Sequence, residues 1–195
     1  MTITQGNYLV HWNYFIALER DLIECSRYVE FSKKNKNTYS IEFSQLLFSA
    51  SSEVDVIAKG ICKLINPLTN IDGINNYQPI ITGKFPKFKN EIVHIHRYDL
   101  SFKPWVNWQP NNSPYWWQSY NKVKHERNEF FWRANLWNTL RSLGALLIIT
   151  SYYYLLQQSI EIGSQVRFQD LNIKLQPESD LLTLNAEYYY DSLVG

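Results

Sequence analysis

The residues best suited to chemistry gather between Pro114 and Asn128, where adjacent tryptophans Trp116 and Trp117 lead into Tyr120, Asn121, Lys122, Lys124, His125 and Arg127. An imidazole is the side chain that exchanges protons near neutrality, so His125 is the candidate proton carrier. Asn121 precedes it by four residues and Lys122 by three, so on a helix all three reach neighbouring surface. Asn121 would then orient His125 or a substrate, while Lys122 and Lys124 attract phosphate. Trp117, Asn121, Lys124 and Asn128 form a second, overlapping row, and Arg127 faces away from His125. The competing reading is a capped helix with solvated Lys and Arg and with His125 and Asn121 bonded to neighbouring backbone. Trp116 and Trp117 read first as core anchors, with platforms for base stacking as the second reading.

Other groups offer different chemistry. His94 and His96 would share one side of a strand, and a third ligand would complete a metal site. Glu19, Glu53 and Asp55 are carboxylates, but no spacing fixes them as an acid–base pair. Glu53, at the border of an apolar helical stripe, is the one placed to reach inward to a cation on a packed neighbour. There is no glycine-rich phosphate loop, no Gly-x-Ser-x-Gly elbow and no His-Glu-x-x-His pair, so nothing calls for a metal or a cofactor. Cys25 and Cys62 lie in helical segments without disulfide or metal spacing, which points to buried reduced thiols.

The elements that must position these groups are helices. A chain of 195 residues with 16% aromatic and 19% charged residues fits a single folded domain with a substantial core. Its formal charge of +1 supplies no global field for nucleic acid or membrane, so any basic contact is local. Apolar spacing predicts helices over about 8–31 and 41–65, the second capped by Ser40, and a shorter helix over 70–84 capped by Asn70. Residues 85–112 read as an inserted aromatic and proline-rich loop, with a short strand near 91–98 and with Trp105 and Trp108 as anchors. Ser113 as N-cap and Pro114 as first residue open the central helix. A break is expected near Asn128 to Phe131, then a last long helix to about Gln157, where small Ala134 and Gly144 would let another helix approach. Its apolar run, Leu143 to Leu156, is short for a bilayer and reads as a buried helix. Residues 158–195 form a C-terminal extension, extended over 166–171 and loosely tied at the end.

This layout, together with Asn121-x-x-x-His125, resembles the HEPN superfamily of small all-helical domains. Many active members are metal-independent endoribonucleases carrying Arg, then four to six residues, then His. The resemblance implies a role in toxin–antitoxin or phage-defence systems, and a homodimer with motif helices facing each other. Tyr120 stands in the place of the motif Arg, so the cation would have to come from Lys122, Lys124 or Arg27.

The expectation is a mainly all-α chain: one bundle of four to five helices spanning 1–195, with one short strand pair. It would be a cytoplasmic, HEPN-like protein that binds or cleaves RNA or a nucleotide, acts as a homodimer, and does not enter a membrane. Its site would comprise His125 and Asn121 as catalytic groups, and Lys122, Lys124, Tyr120 and Arg27 as phosphate contacts, with Glu53 as acidic partner. The alternative is a non-catalytic module in which His125 is structural and the tryptophans with the 85–112 loop line a surface for a protein partner.

Overall fold

The computed structural model describes residues 9–189. Helix α1 runs Val10–Cys25, and α2 runs Ile41–Ile65 with the Ser40 hydroxyl accepting the Phe43 N–H at 3.0 Å, the cap its sequence predicts. Helix α3, Ile74–Lys84, starts after Gly73 at φ 90° rather than at Asn70. Helix α4 is Tyr115–His125, α5 is Arg127–Phe130, α6 is Leu136–Ile162 and α7 is Phe168–Asn172. Strands β1 (Val93–Ile95) and β2 (Leu100–Phe102) pair antiparallel, joined through Asp99 in the left-handed region.

Helix α6 is the centre of the core and packs along α2. It is buried all round from Ser142 to Ser151 because its sequence is apolar on every face there, broken only by small Ser142, Thr150 and Ser151. Asn135 caps it through Asn138 N–H at 3.1 Å, and Gly163 at φ 73° ends it five residues later than Gln157. By length and composition α6 could cross a membrane, but 83% of its most apolar window is buried inside the protein.

Gly144 admits the β1–β2 pair, not a helix. A Cβ there would stand 2.8 Å from the Phe102 ring and 3.2 Å from Val93, so the small residue is what lets the hairpin lie on α6. The loop tryptophans are core anchors. Trp105, Trp108 and Trp116 are fully buried, with Trp108 tilted and Trp116 edge-on against Trp105, and the Trp108 and Trp116 indoles donate to the carbonyls of Ile74 and Pro104. A tryptophan-lined partner surface built from this loop is therefore corrected: burial of these rings holds the loop to the core.

Further departures are local. Helix α1 ends at Cys25 instead of Phe31, where Ser26 turns its hydroxyl onto the Ile23 carbonyl. Pro114 is the N-cap of α4; Ser113 instead offers its carbonyl to Asn107 and Gln118. The break comes at Glu126, after which α5 and a 3-10 turn over Phe131–Arg133 lead into α6. The segment expected to be extended holds α7, fixed by Phe168 stacked on Tyr188 at 4.2 Å. The described part of the C-terminal segment is tied down: Thr183 and His94 exchange backbone hydrogen bonds at 2.8 and 3.0 Å. Residues 190–195 lie outside the described part.

Candidate functional site

The last turn of α4 carries the polar group read from the sequence. His125 is its final helical residue and is exposed, with Asn121 half-buried one turn earlier. Among the described residues neither side chain has a hydrogen-bond partner. The pocket expected around His125 is not formed by one chain, because the end of α4 projects at the surface instead of under a neighbour. Lys122 pairs with Glu126 at 2.7 Å, and Lys124 lies over the Tyr120 ring at 5.4 Å. Tyr120 is buried between Trp117 and Phe48, so its place as a phosphate contact is corrected: it braces the helix. Arg27, past the end of α1, gives its guanidinium to Glu24 at 3.0 Å. Glu53 is taken by His11, and the carboxylate that feels the charge of Lys124 is Asp55. Burial, then neighbouring Asp72, pushes the Asp55 carboxyl above its usual range.

Around this turn the chain builds a wider surface in which cations and aromatic rings alternate. Lys122 lies 4.7 Å from the Phe130 centroid, and Arg133 lies 5.4 Å from the same ring and 5.0 Å from Trp132. Arg127 covers Phe48 at 5.3 Å, and Arg141 covers Trp137, one turn before it, at 5.1 Å. Six of the seven described cation–π pairs have their cation between residues 120 and 141, five of them with the ring there as well. A chain of this length ordinarily shows about two or three in all, so the concentration is a feature of this face.

A second segment joins it from far away in sequence. The loop after α1 carries Lys33, Lys34 and Lys36, and it bonds across to the start of α6. There Leu136 N–H donates to Thr38 at 2.8 Å and Trp137 N–H to Lys36 at 3.1 Å. Tyr39 meets Phe131 edge-on at 5.6 Å. Residues 33–36 and 120–141 together hold eight Lys and Arg against two carboxylates, a surplus of six in a chain whose formal charge is +1. The rest of the chain is therefore acidic in sum, and these two segments carry a disproportionate share of the positive charge.

Three arginines on this face lack a carboxylate. Arg127, Arg133 and Arg141 make no ion pair among the described residues. The Nε atoms of Arg133 and Arg141 are buried with no hydrogen-bond partner. Burial lowers the Arg141 pKa from its usual value, with Tyr115 acting in the opposite sense. Trp132 is 51% exposed and Tyr39 is 52% exposed, so two rings face solvent beside these cations. A guanidinium already stacked on a ring and without a counter-ion is preorganised for phosphate.

The remaining polar groups do other work. His94 and His96 stand with rings parallel, 5.4 Å between centroids, although β1 ends between them at Ile95. They line a cavity of about 460 Å³ with Trp12, Ser151, Glu178 and Tyr189. Among the described residues no set of three His, Cys, Asp or Glu side chains could hold a metal. Glu19 is 1% exposed and accepts from the Ser179 hydroxyl and from the N–H groups of Asp180, Leu181 and Leu182, pinning the C-terminal segment to α1. His11 Nδ1 meets Glu53 Oε1 at 2.5 Å beside Tyr153 and Tyr154. Glu91 accepts from the Tyr152 and Tyr188 hydroxyls at 2.6 and 2.7 Å.

Sequence reasoning passes over Arg133, Arg141, Tyr39 and His11. The four-residue spacing of Trp137 and Arg141 is a usable signal for one of them; nothing local marks His11, whose partner is 42 residues away. No protein-family model, curated protein or solved structure matches the chain.

Proposed function

We propose that the protein binds single-stranded RNA along the cation–aromatic face formed by residues 33–39 and 120–141. The observation that carries this reading is the pair Arg133 and Arg141, each stacked on tryptophan and without an anionic partner, next to exposed Trp132 and Tyr39. Single strands offer what such a face takes: phosphates for the guanidinium groups and splayed bases for the rings.

Within this proposal the chain is a cytoplasmic, HEPN-like bundle of four to five helices in a toxin–antitoxin or phage-defence setting. Lys122 and Lys124 add phosphate contacts. Cleavage, where it occurs, is metal-independent and uses His125 with Asn121. Because one chain leaves His125 exposed and neither His125 nor Asn121 held by a hydrogen bond, the reactive site is completed by a second copy whose α4 faces the first. His125 of one copy then takes the proton of the RNA 2′-hydroxyl as it attacks the adjacent phosphorus, the bond to the 5′-oxygen breaks, and that oxygen takes a proton from water, while the arginines steady the charge on phosphate.

The test is incubation of purified protein with labelled RNA, with and without chelator, followed for both binding and cleavage. Cleavage that survives chelation and is lost in His125→Ala supports the catalytic role, and wild-type cleavage by His125→Ala removes it. The rival reading, a protein-interaction surface, also has support in the exposed Trp132, Tyr39 and Arg133, residue types that dominate protein hot spots. Binding to RNA that weakens steeply with salt separates the two.

A further inference from the structure

On another part of the molecule, the ends of α3 and α6 and the start of α7 enclose a groove of about 1070 Å³. Its wall is apolar and aromatic: Phe85 and Phe168 both meet Tyr152 edge-on, at 4.9 and 5.2 Å, and Leu155, Leu156 and Val166 continue it. Lys84, Lys87 and Arg167 also line the groove, and no carboxylate does. Lys84 and Lys87 make no ion pair among the described residues, while Arg167 is shared with Asp170 at 3.0 and 3.1 Å. The nearest buried carboxylate bonded to this wall is Glu91, whose Oε1 is occupied by the Tyr152 and Tyr188 hydroxyls. Burial, then the bond to Glu91, raises the Tyr152 phenol far above its usual range, so this ring adds no negative charge to the wall.

From this geometry we propose that the groove binds an amphipathic organic anion, an acyl or aromatic apolar body carrying one carboxylate, sulfonate or phosphate head. The body lies on Phe85, Tyr152, Leu155 and Phe168, and the head sits at Lys84 and Lys87. Charge complementarity selects the class. Burying apolar surface favours any greasy ligand, but two unpaired ammonium groups beside an acid-free wall favour one with a negative head. In Lys84 the charge also offsets the dipole of the end of α3; Lys87 lies beyond that helix and has no such role.

The experiment is a fluorescence titration of the whole protein with 1-anilinonaphthalene-8-sulfonate, with competition by decanoate, decanol, decyltrimethylammonium and adenosine monophosphate. The expected result is saturable one-to-one binding, displaced by decanoate and poorly by the neutral and cationic chains. Affinity falls by about tenfold or more in Lys84→Glu/Lys87→Glu, with circular dichroism confirming the fold. Displacement by decanol as strong as by decanoate, or unchanged affinity in the double variant, overturns the proposal. Preferential displacement by adenosine monophosphate overturns the apolar-bodied ligand in favour of a nucleotide. Because both substitutions are exposed, loss of fold is not expected. As a second measurement, decanoate should raise the melting temperature of the wild-type protein, and no rise at saturating decanoate counts against the site. RNA binding plays no part in either readout, so this inference and the RNA reading fail separately.

Discussion

Lys122 and Arg133 hold their charged heads over one ring, that of Phe130, at 4.7 and 5.4 Å from its centroid. One comes from α4 and the other from the 3-10 turn before α6, so the break at Glu126 folds the chain back and brings them together. Lys122 is already paired with Glu126, whereas Arg133 has no carboxylate. Of the two, Arg133 is the stronger candidate for a phosphate.

Arg133→Ala and Arg141→Ala should each weaken single-stranded RNA binding roughly tenfold. Each should also make the slope of log affinity against log salt shallower by about 0.7, the share of one phosphate that the arginine no longer neutralises. Anisotropy titrations at several salt concentrations measure both quantities, and unchanged slopes in both variants would argue against phosphate binding at these positions.

Trp132→Ala should cost about 1–3 kcal/mol of binding for each base that stacks there, or roughly 5- to 150-fold in affinity. The ring is half-exposed, so its fluorescence in the wild-type protein should be quenched by added RNA. No quenching and no loss of affinity would remove Trp132 from the interface.

Glu19→Ala should destabilise the fold by about 3 kcal/mol or more, because it strands several buried donors that met one carboxylate. Chemical denaturation gives the magnitude. Hydrogen exchange should show residues 179–182 losing protection first, and a loss spread evenly over the fold would contradict the pinning role.

Burial pushes the Cys62 thiol up to about 11 from an ordinary value of 9.0. The folded state therefore holds the proton more tightly than the unfolded chain. This stabilisation is fully present below pH 9 and is lost as pH rises to about 11. It amounts to about 2–3 kcal/mol. Urea midpoints across this range should fall more steeply for the wild-type protein than for Cys62→Ala, and identical slopes would refute it.

Helix α2 is legible in the sequence because its cap and its stripe are both local: Ser40 meets Phe43, and the apolar residues repeat with the helical period. Helix α7 is not, since five residues carry little periodicity and their helix depends on Phe168 stacking on Tyr188. The basic end of α4 can be read from spacing, but its surroundings cannot. Tyr120 reads as a surface group in the motif position, and tertiary packing on Phe48 and Trp117 buries it. Glu53 does reach inward from the border of its stripe, yet its partner, His11, sits on α1. The lysine loop joins the face through backbone bonds to Leu136 and Trp137 and through Tyr39 against Phe131, about a hundred residues on, which no local pattern encodes.

The most direct measurement is an anisotropy titration of labelled single-stranded RNA with wild-type protein and with Arg133→Glu/Arg141→Glu, over a range of salt. Saturable binding that weakens steeply with salt in the wild-type protein and is lost in the folded double variant is the predicted result. No binding at low salt, or equal binding by both proteins, would contradict the assignment of this face to RNA.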